Sequence, residues 1–398
     1  MRKGFVIAGL WMLGLASASA ADAPRPLRIG FLADLSGPSA SGNGSASTDA
    51  GRMAVEEFGG AVLGRPIEII AGDFQGKPDI GVNIAREWFD RQDVSAVVNM
   101  NNSALAIAMQ TMATARDKVL MFTAASSSDL TGKACSQVST QWILDTYTLG
   151  HAAVAGNLTE GFKRWGFISV DYTFGQRLEA DATDAIRAAG AQVVGSVRHP
   201  YGVSDFSSFI LQAQAANPDV IVLANATADT SAAIKQMREF GVDLPIVPLL
   251  FLTTDIQSIG LENLKNVRFV DQFYWDTDDK TRAWSKRFFD RNKAMPSSVQ
   301  ADGYRSVMHY LQAVQAAGTD EAKAVVAKMK ELPINDAIGS GGWIREDGRV
   351  MRDLTLYEVK SPAESKYPWD YEKPLAKISA DKAYRPLDRL ECPFLSKP

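Results

Sequence analysis

The stretch from Asp93 to Leu130, DVSAVVNMNNSALAIAMQTMATARDKVLMFTAASSSDL, restricts the fold more than any other part of the chain. An apolar run, Ala96–Met100, stops abruptly at Asn101-Asn102-Ser103. A helix-like segment, Ala104–Arg116, follows, and a second apolar run, Val119–Phe122, stops at Thr123 and the cluster Ser126-Ser127-Ser128. Short apolar runs alternating with helical segments predict parallel strands joined by helical crossovers. In such a sheet a ligand sits beyond the carboxyl ends of the strands, where loops and helix N-termini face open space. Ser103 falls at or near the N-cap of its helix, beside backbone N–H groups that lack an intrahelical partner. That arrangement suits an anion, most simply a carboxylate. The plain alternative is that Ser103 only caps its helix and Ser126–Ser128 only turn the chain, and this stretch alone does not separate the two.

The same alternation runs on both sides of this stretch. Leu27–Ala33, Ile67–Ala71 and the two runs above predict strands of one lobe, with helices at Thr48–Phe58 and Ile80–Arg91. After Trp142 the pattern starts afresh. Strands are expected at Trp165–Val170, Gln192–Arg198, Val220–Leu223 and Ile246–Leu252, with helices at Gln176–Ala188, Asp205–Ala215 and Thr230–Phe240. Two doubly wound α/β lobes follow from this order, and 398 residues is more than one typical domain needs. Val267–Trp275 reads as a strand leaving the second lobe. The helices after it, Thr281–Asn292, Asp302–Ala317 and Asp320–Lys330, have no strands of their own to cover and are assigned to the first lobe's sheet. Residues 361–398 show little periodicity and are expected to wrap the surface.

Met1-Arg2-Lys3 followed by the apolar run Phe5–Ala16 and Ala18-Ser19-Ala20 predicts a cleavable export signal over residues 1–20. No cysteine follows the cleavage site, so a lipid anchor is not expected. The formal charge of −4 points away from nucleic acid and from anionic membrane surfaces. Two cysteines, Cys135 and Cys392, remain in an oxidising compartment, where an even count favours a disulfide over two buried thiols.

With these pieces in order, the chain resembles the substrate-binding proteins of ABC importers, in the leucine/isoleucine/valine-binding family. The resemblance rests on IGFLADLSGP, AGRMAVEEFGG, LGRPIEIIAGDFQGKP, AVVNMNNS, MFTAASSSDLTG, DYTFGQ and PDVIVLANATADTSAAIKQMREFG. It implies a type I periplasmic binding fold: two α/β lobes joined by three crossover strands, closing on a ligand. The implied division is 21–142 plus 276–353 for the N-terminal lobe and 143–275 plus 354–360 for the C-terminal lobe. It also implies binding roles. Ser103 matches the helix-capping serine that contacts the ligand carboxylate, and Ser126 and Ser127 match a carbonyl and a hydroxyl contact. Tyr172 matches the aromatic pressed on the ligand by the second lobe, and Asn225 a second-lobe position facing the cleft. Asn102, Trp142 and Phe251 complete the expected lining. The implied partners are a small carboxylate-bearing solute and the permease and ATPase of the inner membrane, for a monomer in the periplasm with no cofactor.

The sequence departs from the family in one respect. Amino-acid binders of this kind place an acid after the strand that here ends in Leu249-Leu250-Phe251-Leu252, because a buried, unpaired ammonium is costly. Asp145, Asp171 and Asp255 are the alternatives, and the presence of an amine on the solute stays open. An enzyme is disfavoured: three scattered histidines and two cysteines make no zinc motif, and no Walker A loop, G-x-G-x-x-G or G-x-S-x-G occurs. A sensory protein docking on a membrane receptor would carry the same cleft and is the second reading.

Overall fold

The computed structural model describes residues 24–389 and 391–395, so the expected signal at 1–20 lies outside the described residues. The first lobe is built on a six-stranded sheet, in the order Ala61–Val62, Arg65–Asp73, Leu27–Ala33, Val94–Asn99, Val119–Phe122, Ser139–Gln141. All its pairings are parallel except the short hairpin at Ala61–Val62. Val94–Asn99 and Val119–Phe122 are buried at every position. Helices cover both faces of such strands, which is why they read as unbroken apolar runs rather than alternating ones. The second lobe holds a four-stranded parallel sheet, in the order Ile246–Pro248, Val220–Ala224, Arg164–Val170, Gln192–His199. One apolar core runs from the first-lobe sheet onto one face of the second (Ile168, Ile221, Leu223), and another covers that sheet's other face (Phe167, Val220, Val222).

Three elements differ from the expectation. The strand predicted over Ile246–Leu252 stops at Pro248; Leu252 instead caps a short helix, Thr253–Ile259, whose Asp255 carboxylate accepts from the Leu252 N–H. The strand predicted over Val267–Trp275 stops at Asp271. It pairs antiparallel with Leu354–Val359 in a separate three-stranded sheet. The third strand of that sheet is Glu372–Ile378, so the stretch 361–398 supplies a strand as well as surface cover. The sequence hid this strand because its burial pattern is almost wholly exposed, which leaves no apolar periodicity to detect.

The chain passes between the lobes after Gln141, after Asp271 and near Arg352, and side chains tie these passages together. Gln272 donates from Nε2 to the Trp142 carbonyl (2.9 Å) and to the Asp302 carboxylate. Asp302 pairs with Arg352 (2.7 Å), whose guanidinium lies 5.3 Å from the centre of the Trp142 ring. The Gln141 N–H donates to the Gly348 carbonyl (2.8 Å). Trp142 is fully buried in this junction. It packs in this junction and is not among the residues lining the interlobe cavity, where it was expected. Helix Ser298–Ala317 reaches first-lobe residues: its Gln300 donates to the Gly42 carbonyl (2.8 Å).

Cys135 and Cys392 form a disulfide across a separation of 257 residues. It fixes the tail beside Arg385, which donates to Ser128 Oγ (3.0 Å) and faces Asp181 of the second lobe. A bridge closing so long a loop contributes about 2–5 kcal/mol. Non-reduced peptide mapping should link Cys135 to Cys392, and Cys392→Ser should lower the melting temperature by several degrees. An unchanged melting temperature would show that the bridge constrains nothing.

Candidate functional site

The carboxyl ends of the strands in both lobes face one another across a small cavity of about 30 Å³. The lobes are thus drawn together over it. On the first-lobe side, strand Val94–Asn99 ends in two left-handed residues, Asn99 (φ 82°) and Met100 (φ 56°). This turn splits the roles of the next two asparagines. Asn102 becomes the N-cap of helix Ser103–Ala115, its side chain accepting from the Leu105 N–H (3.0 Å). Asn101 accepts the Asp34 N–H on Oδ1 (2.9 Å); its Nδ2 is buried on the cavity wall and finds no protein acceptor. Ser103 is the first helical residue, lines the cavity and is 2 % exposed. The capping role expected of Ser103 therefore belongs to Asn102.

The serine cluster divides in the same way. Ser126 lines the cavity, and its buried Oγ has no hydrogen-bond partner. Its carbonyl is already taken by the Thr146 N–H (2.7 Å). Ser127 turns inward: its Oγ accepts from the Asp129 N–H and its carbonyl from Gln141 Nε2. Ser126 thus offers a hydroxyl rather than a carbonyl, and Ser127 is structural. A buried donor without a partner costs about 1–3 kcal/mol, and Asn101 Nδ2 and Ser126 Oγ are two such donors in the cavity wall.

The second lobe supplies Tyr172, the N-cap residue of helix Thr173–Ala188, with Phe174 behind it. Burial raises the Tyr172 phenol well above its usual range, so the ring stays neutral. Asn225 is not in the lining. It is fully buried, donating from Nδ2 to His199 Nε2 (3.1 Å) and accepting from Thr230 Oγ1 (2.8 Å). His199 must then carry its proton on Nδ1, facing the Pro200 carbonyl (2.9 Å). The cavity is met instead by Ala226 and Thr227, the cap and first residue of helix Thr227–Glu239. Thr227 has φ 52°, an uncommon and strained conformation for a β-branched residue. Phe251 also points away, packing edge-on against Phe269; its neighbours Leu250 and Leu252 form the wall. With Ile143, Val299 and Ala124 they make a small apolar cluster separate from both cores.

Thr227 is a residue that sequence reasoning missed, and Tyr201 is another. Tyr201, at the end of strand Gln192–His199, donates to Asp34 Oδ2 (3.2 Å) and lies 2.7 Å from Ser39 Oγ, so it clasps the two lobes. Its ring meets that of Tyr172 edge-on at 5.5 Å. The approach is close on either side. A side chain at Gly202 (φ 73°) would strike Pro38, and one at Gly42 would press on Thr227. Nothing in the local pattern around Tyr201 distinguishes a clasp from an ordinary strand-end tyrosine.

A profile of the family described as Periplasmic binding protein matches residues 26–366. The chain belongs to that family. A periplasmic binding protein from Burkholderia mallei is 40% identical, with a TM-score of 0.91 over 93% of this chain and 99% of that one. A branched chain amino acid ABC transporter periplasmic ligand-binding protein from Burkholderia xenovorans is 34% identical, with a TM-score of 0.81 over 92% and 99%. A Leu/Ile/Val-binding protein homolog 1 from Brucella abortus is 23% identical over 319 residues, 77% of this chain and 83% of that one. The fold is the type I periplasmic binding fold, with two α/β lobes and parallel sheets, as the sequence led one to expect. It is the fold of solute-binding proteins rather than of enzymes.

In a periplasmic binding protein the clasp at Tyr201 should report on closure. Tyr201→Phe keeps the ring and removes both interlobe hydrogen bonds of the hydroxyl, about 1 kcal/mol each, so ligand affinity should fall roughly 5- to 30-fold. The ligand-free melting temperature should hardly move. Unchanged affinity in a calorimetric titration would show that the clasp is made equally in the open form.

Proposed function

We propose that the chain is the extracytoplasmic solute-binding component of a branched-chain-amino-acid-type ABC importer. It holds a small carboxylate-bearing solute between its lobes and, as a monomer, presents the closed form to a permease and its ATPase in the inner membrane. The observation that carries this reading is the meeting of two unpaired buried donors, Ser126 Oγ and Asn101 Nδ2, with the N-terminus of helix Ser103–Ala115 in one interlobe cavity. Hydroxyl, amide and helix-terminal N–H groups together replace the hydration of a carboxylate, and hydrogen bonds to a charged group are the stronger kind. Tyr172 from the opposite lobe then covers the body of the solute, so that binding and closure are one equilibrium. Ligand affinity for the closed form is what shifts it.

Ser126→Ala should weaken binding of a carboxylate solute by roughly 10- to 100-fold, the loss of a hydrogen bond to a charged group. Tyr172→Ala should weaken binding while leaving the ligand-free melting temperature nearly unchanged. Isothermal titration together with thermal melts checks both. Undiminished affinity in Ser126→Ala would remove the serine from the site, and parallel losses of stability and affinity in Tyr172→Ala would make the ring part of the core.

A further inference from the structure

We infer that the solute is an amine-free acid: a carboxylate on an apolar body that carries no ammonium group. This rests on the carboxylate reading above and narrows it. Four helices of 13, 16, 13 and 20 residues bring their first turns to the cavity, contributing Ser103, Phe174, Thr227 and Val299. Each helix carries a partial positive charge at that end. The four termini therefore add up to a field that attracts an anion and repels a cation.

Nothing in the wall offsets that field. Among the described residues the lining holds no Asp, Glu, Lys or Arg; its polar members are hydroxyls and one amide. The acids of the surrounding loops are committed elsewhere. Asp34 accepts from the N–H groups of Gly37 and Ser39 and from Tyr201. Asp145 caps its helix through Thr148 and faces Arg349, and Asp171 is exposed beside Gln176 and Arg198. Asp255 caps Leu252 and is pushed up to about 7 by burial. Asp229 alone among these has a fully buried oxygen without a partner. It is buried outside the lining, accepting from the Gly202 N–H and within electrostatic reach of Tyr172 and Tyr201, and burial pushes it up to about 7 as well. An ammonium placed here would be stripped of water, faced by positive helix ends and left without a counter-charge, a costly state. An apolar body has the opposite fate, because Ile143, Leu250, Leu252 and Val299 already form a surface that excludes water.

The test uses compounds that differ only in the amine. The mature full-length chain is titrated calorimetrically with 3-phenylpropanoate and L-phenylalanine, with 4-methylpentanoate and L-leucine, and with 3-phenylpropanamide. The inference expects an acid to bind at least 100-fold more tightly than its amino-acid partner, and Asp229→Asn to hold that affinity within about twofold. An amino acid that binds as tightly as its matched acid overturns the inference while leaving the carboxylate reading intact. Its selective loss in Asp229→Asn would identify the hidden counter-charge. An amide that binds as well as its acid removes the carboxylate reading itself, and so does a series in which no acid and no amino acid binds.

Discussion

The structure depends on the way parallel strands and their helices end. A strand whose ladder stops at its carboxyl end hands the chain to a helix whose first N–H groups have no partner. In this chain such ends from both lobes are turned toward one space. The polar atoms there are not left over by accident of packing. Asn101 and Ser126 each have one polar group used by the protein, and Nδ2 and Oγ respectively left over in the cavity wall. On the reading proposed here, an anion is the guest that resolves these unpaired donors and the dipoles of four helices at once, with each lobe contributing part of the set.

The rest of the fold can be understood as what keeps two such surfaces in register. The chain crosses between lobes at three places. Gln272, Asp302, Arg352 and Trp142 fasten those crossings into one buried junction. At the opposite edge Tyr201 reaches Asp34 and Ser39. Its edge-on contact with Tyr172 links the clasp to the ring on the cavity wall. The disulfide and Arg385 bring the tail against Ser128 and Asp181, one residue of each lobe, beyond the serine cluster.

Much of this was legible before any coordinates. Fully buried parallel strands leave unbroken apolar runs, so Val94–Asn99, Val119–Phe122 and Val220–Ala224 stood out, and with them the α/β class. Ser103, Ser126 and Tyr172, proposed from strand ends and from the family resemblance, all fall in the cavity lining. The same rule failed at Asn225, Ser127 and Asn102. In a strand-end loop successive side chains point in different directions, and only three-dimensional structure tells which one turns outward. Asn101 and Thr227 are immediate or near neighbours of residues chosen instead, and left-handed backbone at Asn99, Met100 and Thr227 decides the direction. Trp142 and Phe251 were misplaced because a large aromatic beside a cleft has the same composition whether it lines the cleft or packs behind it. Tyr201 and the strand Glu372–Ile378 left no pattern, the one being a single residue and the other an exposed edge.

The most direct measurement is a crystal structure of the protein saturated with its solute. The account predicts a carboxylate between the lobes, with oxygens about 2.7–3.1 Å from Ser126 Oγ and Asn101 Nδ2 and at the first turn of helix Ser103–Ala115, and the Tyr172 ring lying against the remainder. A solute bound elsewhere, or one that turns an apolar or cationic group toward those donors, would contradict it.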